Sequence, residues 1–524
     1  MQNETNKRSD HIKERLTNKF ESLKARIANG ETIPNNERIQ VAVLADSPNV
    51  VTGFGNVCRE VLTGLYNTGY FAFEIVGINY DGSPHDLPFK IYPAINPLIA
   101  DPAYREPYGR QRFLDLVGEG RFDIVWVLQD SFIVCEQLAQ RIKETNDVLP
   151  EGDQFAFIFY FPIDATPKKN WMDNSAMLAD FPVTYTQYAF DEILKLYSVD
   201  EHTKLTEEEQ EKNKKDLEYI KQRLSVVYHG VNLKDFHPIE DENRIAELRQ
   251  KLWTDKHKDK FVFINVNRNQ PRKDLFRTLQ AFKILLDRRR AKGKDDVYLY
   301  MHCSVFDNNM NMVDMSKQIE LVQGDEWAHP DPRMFAVASG FPVNVLNDMY
   351  NAADAVITTT LGEGWGLSVT EAMAVKKPVI APDHTSLTEI LGKTAGGTGE
   401  RGILVKTKGD FVQPNDNARV RPITDVEDLA DKMEMLVENR KAYQPMVESA
   451  YQWVKQLVWE GDEVLGKWKL IFENAYKMAL IKRAMSIDTM VAKQLKIDGM
   501  GRNDICPACN EKIKHCRHGQ MAGI

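Results

Sequence analysis

The side chains best suited to chemistry are the carboxylates of Glu363 and Glu371, which flank a glycine-rich turn at residues 362–366. The apolar run 355–360 predicts a buried parallel strand before the turn, and 367–375 predicts a short helix after it. A tight turn between a strand and a helix directs free backbone N–H groups and the positive end of the helix dipole into one crevice, which suits a phosphate. Because carboxylates repel phosphate, both Glu side chains are better suited to hydroxyl groups on either side of it. A sugar nucleotide presents this arrangement.

The composition is that of a soluble globular protein with two or three domains: 524 residues, 43% hydrophobic and 27% charged. The net charge of −9 argues against a surface that grips nucleic acid as a whole, although it leaves a local basic groove possible. No apolar run approaches the ~18 residues of a membrane span, and the first ten residues lack the apolar core of a secretory signal. Cys58, Cys135 and Cys303 are scattered and predict buried thiols, so we expect a reducing, cytoplasmic location.

Apolar strands alternate with amphipathic helices over most of the chain, which predicts an α/β protein with doubly wound parallel sheets. The first half contains predicted strands at residues 39–45, 73–80, 122–128, 155–161 and 183–187. The second half contains predicted strands at residues 261–266, 297–302, 355–360, 378–381 and 402–405.

The segment 355–380 resembles the E-x7-E signature of retaining glycosyltransferases with the GT-B fold, in particular family four. The resemblance extends over residues 39–475 and implies two Rossmann-like domains with a cleft between them. In such enzymes the first Glu contacts the donor sugar and the second holds the nucleotide ribose; here these are Glu363 and Glu371. Lys376 and Lys377 depart from the small residues that usually precede the proline, which we expect to alter the turn.

The same resemblance implies binding residues around the donor diphosphate. An Arg after the strand 261–266 and a Lys five positions later correspond to Arg268 and Lys273, and two cations suit a leaving group that gains negative charge. The alternative is an ordinary solvated basic loop. The remaining implied contacts are those of the turn, Gly364, Trp365, Gly366 and Leu367, and of the glycine loop in the first domain, Gly53, Phe54 and Gly55.

Asp164 follows the predicted strand 155–161, and ligands of open α/β sheets lie at the carboxyl ends of strands. The family often has a His near this place that contacts the donor sugar. This sequence has none there, and Asp164 is the nearest polar side chain. It is therefore a candidate catalytic residue together with Glu363, Arg268 and Lys273, or else it caps the following turn.

We expect an N-terminal amphipathic helix within 1–38, which packs on its own domain or a partner rather than on a membrane surface. The predicted domains are 39–235, on the acceptor side and with a solvated, charged helical insertion at 200–223, and 236–460, for the donor. Crossing helices follow at 461–500, and a separate tail occupies 501–524.

The tail contains Cys506, Cys509, Cys516 and His518, a spacing that suits structural zinc, with His515 as a rival ligand. Such a short segment has little core of its own, so a metal would stabilise it. It resembles the SEC-C zinc motif, but has C-x2-C in place of C-x-C, a shorter spacer, and Arg517 between the last two ligands. Free surface thiols are the alternative, and docking to a partner is one purpose for the tail.

The resemblance implies retaining transfer of a sugar from a UDP- or GDP-sugar, for example UDP-glucose, to a hydroxyl acceptor. The sequence has no D-x-D pair, so no catalytic metal is expected. The acceptor is open among a glycan, a lipid, a protein side chain and a hydroxymethylated DNA base of the kind that phages glycosylate. A non-catalytic nucleotide-sugar binding module, joined to partners through its zinc tail, is the alternative.

Overall fold

The computed structural model describes residues 15, 17–95, 106–198, 205–307, 309–331, 341–397, 399–413 and 416–523. These residues form two compact units. The first contains the described residues up to Tyr160, Asn170–Val183, and those from Lys467 onwards, whereas the second contains Phe161–Lys169 and Thr184–Gly466. The chain therefore returns to the first unit with its C-terminal helix and tail.

The first unit is built on a parallel sheet with the strand order β3-β2-β1-β4-β5-β6. The central strand β1 pairs with β2 and β4, so that Val41 lies opposite both Phe73 and Ile124. Every residue of β2, β4 and β5 is buried, as expected for a parallel sheet covered by helices on both faces. The strands are β1 Ile39–Asp46, β2 Phe71–Ile78, β3 Lys90–Pro93, β4 Ile124–Leu128, β5 Ala156–Phe161 and β6 Phe181–Thr184.

The α-helices that lie wholly in the first unit are Lys19–Ala28, Gly53–Asn67, Arg110–Val117, Ser131–Val134, Leu138–Val148, Lys467–Ile497 and Arg517–Ala522. The long helix Lys467–Ile497 places Trp468 in the core, with its ring 5.8 Å from that of Trp126. The N-terminal helix packs on the same unit, because Phe20 stacks on Tyr70 with ring centroids 4.7 Å apart. Residues 1–14 and 16 of the segment in which that helix was predicted lie outside the described residues.

The second unit contains a parallel sheet with the strand order β12-β9-β8-β13-β14-β15. Counted over the six strands given for each unit, this is the same order as in the first unit, and it is the order of a Rossmann fold. The prediction of two doubly wound parallel sheets is thus confirmed. The strands of this unit, six of which form the sheet, are β7 Ser225–Val226, β8 Phe261–Val266, β9 Val297–His302, β10 Phe306–Asp307, β11 Met310–Asn311, β12 Trp327–Ala328, β13 Ala355–Ile357, β14 Val379–Pro382, β15 Ile403–Val405, β16 Thr407–Val412 and β17 Val420–Thr424.

Helices cover this second sheet and bury a core that includes Phe263, Phe282 and Leu429. The segment 207–223 of the predicted charged insertion is a helix with only Ile220 buried, and it starts at a capping box formed by Thr206 and Glu209. The helices of the second unit are Gln187–Lys195, Glu207–Arg223, Glu242–His257, Leu275–Ala291, Met312–Gln318, Val343–Ala352, Leu367–Ala374, Ser386–Ile390, Val426–Glu438 and Gln444–Val454.

Several features of the described chain were not predicted from the sequence. One is the antiparallel hairpin of β16 and β17, in which β16 is exposed along its whole length. Another is that a single helix, Lys467–Ile497, occupies most of the segment 461–500, where more than one crossing helix was expected. None of the described helices combines the length and the apolar character that a membrane crossing requires.

Candidate functional site

The second sheet brings the two most specific sequence motifs together at one edge. Strands β8 and β13 are neighbours, with Val356 opposite Ile264, although almost ninety residues separate them in the sequence. Here the strand order reverses, and such a switch point is where open α/β sheets bind ligands, just beyond the carboxyl ends of the strands. The loop after β8 carries Arg272 and Lys273, and the loop after β13 carries Glu363.

Glu363 is the centre of this edge. Its side chain contacts the Lys273 ammonium through Oε1, and its Oε2 lies 3.3 Å from Nη1 of Arg272. Its backbone N–H donates to Oγ1 of Thr385 at 3.1 Å, which fixes the turn from the other side. Burial alone would raise the pKa of Glu363, but the two cations outweigh it and lower the pKa to about 2. The carboxylate is therefore charged and held in a single place.

Asp164 joins the same group of charges. Its carboxylate accepts from Nη1 of Arg419 at 2.7 Å and from Nη2 of Arg421 at 3.3 Å, and its Oδ2 lies 3.6 Å from Nε of Arg272. Asp416 also accepts from these two arginines of the hairpin region, from Nε of Arg419 at 3.0 Å and from Nη2 of Arg421 at 3.3 Å. Although burial acts to raise the pKa of Asp164, the three guanidinium groups hold it below its usual range. Arg272 thus links Asp164 to Glu363.

The glycines of the turn allow a close approach of backbone to backbone. A Cβ on Gly362 would lie 1.9 Å from the carbonyl oxygen of Asp164, and one on Gly364 would lie 2.5 Å from Cβ of Pro162. Gly366 has φ +105° and begins the helix Leu367–Ala374 as its N-cap. Side chains at these places would push the turn away from the segment that carries Asp164, and Glu363 would move with it.

Glu371 lies one turn into the helix Leu367–Ala374 and is partly buried. It accepts a hydrogen bond from the hydroxyl of Tyr350 at 2.9 Å. Burial raises the pKa of Glu371 to about 7, and the Tyr350 hydrogen bond opposes this only in part. In contrast to Glu363, it therefore exchanges a proton near neutral pH.

Two residues of the predicted set lie elsewhere. The side chain of Arg268 is 62% exposed and donates from Nε to Asp307 at 2.8 Å, outside the group formed by Lys273 and Glu363. The ring of Trp365 is 3% exposed and packs near those of Trp453 and Tyr228. The Trp365 side chain therefore belongs to the core, and its carbonyl accepts from the Ser386 hydroxyl at 3.1 Å.

In the first unit, Gly53, Phe54 and Gly55 form the first turn of the helix Gly53–Asn67 rather than the loop before it. Thr52 caps this helix by accepting from the N–H of Gly55 at 2.9 Å, and its hydroxyl donates to Asp46 at 2.6 Å. A Cβ on Gly55 would lie 2.5 Å from the carbonyl oxygen of Val50, so the turn requires glycine at this position.

The tail brings Cys506, Cys509, Cys516 and His518 into one cluster, with the ligand atoms all within 4.8 Å of one another. Nε2 of His518 lies 2.9 Å from Oδ1 of Asp488 on the long helix, and its Nδ1 faces the Cys506 sulfur at 3.5 Å. Three thiols and an imidazole fit tetrahedral zinc, and a carboxylate on the outer ring nitrogen is the usual support for a zinc-bound histidine. Among the described residues, His515 is not part of this cluster.

Several residues of the site were missed in the sequence. Tyr350 reaches Glu371 from the preceding helix, and no local pattern points to it. Arg419 precedes the strand β17 and Arg421 lies within it, so no strand alternation links the two arginines in the sequence. Their partner Asp164 lies more than 250 residues away, so the pairing itself could not be deduced.

Comparisons with known proteins agree with this geometry. Residues 338–453 match the model of the family described as glycosyl transferases group 1. The chain is similar to sucrose-phosphate synthase from Thermosynechococcus elongatus (14% identity, TM-score 0.57, covering 84% of this chain and 99% of that one). It is also similar to HepE of Anabaena in complex with UDP and glucose (13% identity, TM-score 0.55, covering 83% of this chain and 99% of that one). A glycosyltransferase from Rickettsia africae is similar as well (14% identity, TM-score 0.56, covering 84% of this chain and 99% of that one). These neighbours establish the GT-B fold. No curated protein sequence matches the chain significantly.

Replacing Arg421 by Met is expected to destabilise the second unit by about 3 kcal/mol, because it leaves two buried carboxylates with fewer cations. Arg421 is 0% exposed, and Asp164 and Asp416 both depend on it. Urea unfolding followed by tryptophan fluorescence measures the loss.

Arg288→Met is the matched control. Arg288 also pairs with two carboxylates, those of Glu427 and Asp431, but these are about 60% exposed. It should cost less than about 1 kcal/mol. Equal losses for the two variants would show that the Arg421 network contributes no more than a surface ion pair.

Proposed function

We propose that this protein is a retaining glycosyltransferase that moves a sugar from a nucleotide-diphosphate sugar to a hydroxyl acceptor. The observation that carries the proposal is the pairing of Glu363 with Lys273 at the switch point of the second sheet. An immobile carboxylate beside a cation suits the junction of a donor, where sugar hydroxyls adjoin a diphosphate. The family match at residues 338–453 supports the same reaction class.

The donor we propose is UDP-glucose or a related UDP- or GDP-sugar. HepE of Anabaena, which shares the fold, has been crystallised with UDP and glucose and with UDP-glucose. In this chain Lys273 would bind the diphosphate, and Arg268 would join it by turning its exposed side chain from Asp307. Glu363 would orient the sugar, and Glu371 would bind the ribose hydroxyls. The backbone of Gly364–Leu367 would contact the phosphate or the sugar.

The chemical step needs the developing negative charge on the leaving diphosphate to be stabilised. The Lys273 ammonium can provide this stabilisation only if it contacts the donor diphosphate as well as Glu363. The resting ion pair and the bound donor therefore compete for one cation. We propose attack of the acceptor on the same face of the sugar, with the departing phosphate taking the acceptor proton. Asp164 orients Arg272, which in turn holds Glu363.

Glu363→Gln is expected to lower sugar transfer at least about a hundredfold, because the amide no longer accepts donor hydroxyls as strongly and no longer pairs with Lys273. Radiolabelled UDP- and GDP-sugars incubated with mixed acceptors, followed by mass spectrometry, measure transfer and identify the acceptor class. Donor hydrolysis serves where no acceptor reacts.

Glu427→Gln, at an exposed carboxylate of the same unit, should keep full activity. Donor binding without any turnover in the wild type would favour the alternative, a nucleotide-sugar binding module. A salt-dependent shift of hydroxymethylated DNA in a gel would single out DNA among the acceptors.

UDP-glucose should bind about tenfold more weakly at pH 6 than at pH 8, because Glu371 has a pKa of about 7 and only its ionised form accepts from both ribose hydroxyls. Protonation rises as the pH falls through 7, so the loss lies on the acid side. Calorimetric titration at the two pH values measures it. In Glu371→Gln the pH dependence should disappear; if it persists in that variant, another group controls binding.

We propose that the tail is a structural zinc site of the SEC-C kind, and that it docks the protein on a partner. The purified protein should contain one zinc per chain, and Cys506→Ser or Cys516→Ser should lower the zinc content severalfold. Metal analysis by mass spectrometry measures the zinc content, and hydrogen exchange of residues 501–523 measures the stability that the metal gives the tail. Cys58→Ser is the control, because burial raises the pKa of that thiol and it lies in the core. Full zinc in the tail variants would contradict the assignment.

A further inference from the structure

The second unit contains a cavity of about 480 Å³ that none of the donor residues lines. Its walls come from the start of the helix Leu275–Ala291, from the helix Met312–Gln318 and from the hairpin of β16 and β17. This volume lies in the ~300–1,000 Å³ range of pockets for small organic ligands. The cavity is therefore a candidate site beyond the proposed sugar transfer, and it does not depend on that proposal.

The cavity has walls that suit a flat aromatic ring. Met310, Met312 and Met315 line it together with Phe276 and Phe411. Thioethers adapt to the shape of a ligand and make favourable contacts with aromatic rings, and phenylalanine adds stacking or edge contacts. Phe411 is 42% exposed, so a ligand would cover an apolar surface that the protein leaves open.

Two residues that line the cavity also carry hydrogen-bond acceptors that lack a partner. Oδ1 of Asn269 and Oε1 of Gln413 are buried without any hydrogen bond among the described residues. The amide of Asn269 cannot simply turn over, because its Nδ2 donates to the carbonyls of Val305 at 3.2 Å and Met310 at 3.1 Å. Asn269 itself is 0% exposed, and a buried acceptor without a donor is unfavourable.

We propose that this cavity binds a small aromatic molecule that carries at least one O–H or N–H donor. The ring would fill the space between the methionines and the phenylalanines, and the donor would satisfy Asn269 or Gln413. The ligand would rest on the loop that continues from Asn269 through Lys273 to Asp274. It would thus contact the loop that supplies the partner of Glu363 without occupying the donor site.

The test uses the whole protein, labelled with ¹³C at the methionine methyl groups, and titrated with 2-naphthol and with 2-methoxynaphthalene. These probes have the same ring system, but only the first donates a hydrogen bond. The signals of Met310, Met312 and Met315, assigned by Met→Leu variants, should shift saturably with 2-naphthol. The methoxy compound should bind at least about fivefold more weakly. Met349 and Met373 of the same unit are the internal controls.

Gln413→Leu removes one acceptor while keeping a side chain of similar size. It should weaken 2-naphthol about fivefold and leave 2-methoxynaphthalene unchanged. Gln452→Leu, at an exposed position of the same unit, should change neither. The proposal is overturned if the three methionines do not respond, if Met349 and Met373 shift equally, or if both probes bind the wild-type protein with the same affinity. The wild-type comparison decides the question even if a variant does not fold.

Discussion

The candidate site of the second unit depends on keeping the buried ion pair of Glu363 with Lys273 intact. Taking a carboxylate out of water costs several kcal/mol, and this is offset only when the cation is close and the other oxygen is also bonded. Arg272 provides that second contact at 3.3 Å. Both loops must therefore keep their conformation, and the sheet beneath them must keep its register, for the charges to stay paired.

The register follows from the sequence of the strands. Because side chains alternate across a strand, a shift of one residue between β8 and β13 would turn buried residues such as Phe263 and Ile357 to the opposite face. The same parallel pairing fixes where each strand ends, and thus where its loop begins. The position of Lys273 opposite Glu363 therefore follows from the burial of the apolar side chains of β8 and β13.

Parts of this arrangement could be predicted from local patterns. The strands Phe261–Val266 and Val297–His302 have the predicted bounds, because each is a short apolar run between clear breaks. The strand predicted at 183–187 instead ends at Thr184, since Thr186 caps a helix that begins at Gln187. The cap forms because the Thr186 hydroxyl accepts from the N–H of Ala189. The composition of 183–187 is typical of a strand and does not indicate this hydrogen bond.

The candidate site was predictable where the motif is local and not where it depends on distant partners. Glu363 and Lys273 were identified by resemblance, and the structure places them in contact. The spacing of five residues between Arg268 and Lys273 could not predict that the Arg268 side chain is exposed. Its partner, Asp307, lies about forty residues away in the sequence. The hairpin arginines were missed for the same reason, since their role exists only once Asp164 is folded beside them.

Steric contacts hold the turn of Glu363 as firmly as charge does. Gly362 and Gly364 let the turn lie directly against the backbone of Asp164 and against Pro162, where no side chain would fit. Ion pairs tolerate shifts of a few tenths of an ångström, whereas overlapping atoms do not. The glycines therefore set the distance between Asp164 and Glu363, and the arginines stabilise an arrangement that backbone packing has already fixed.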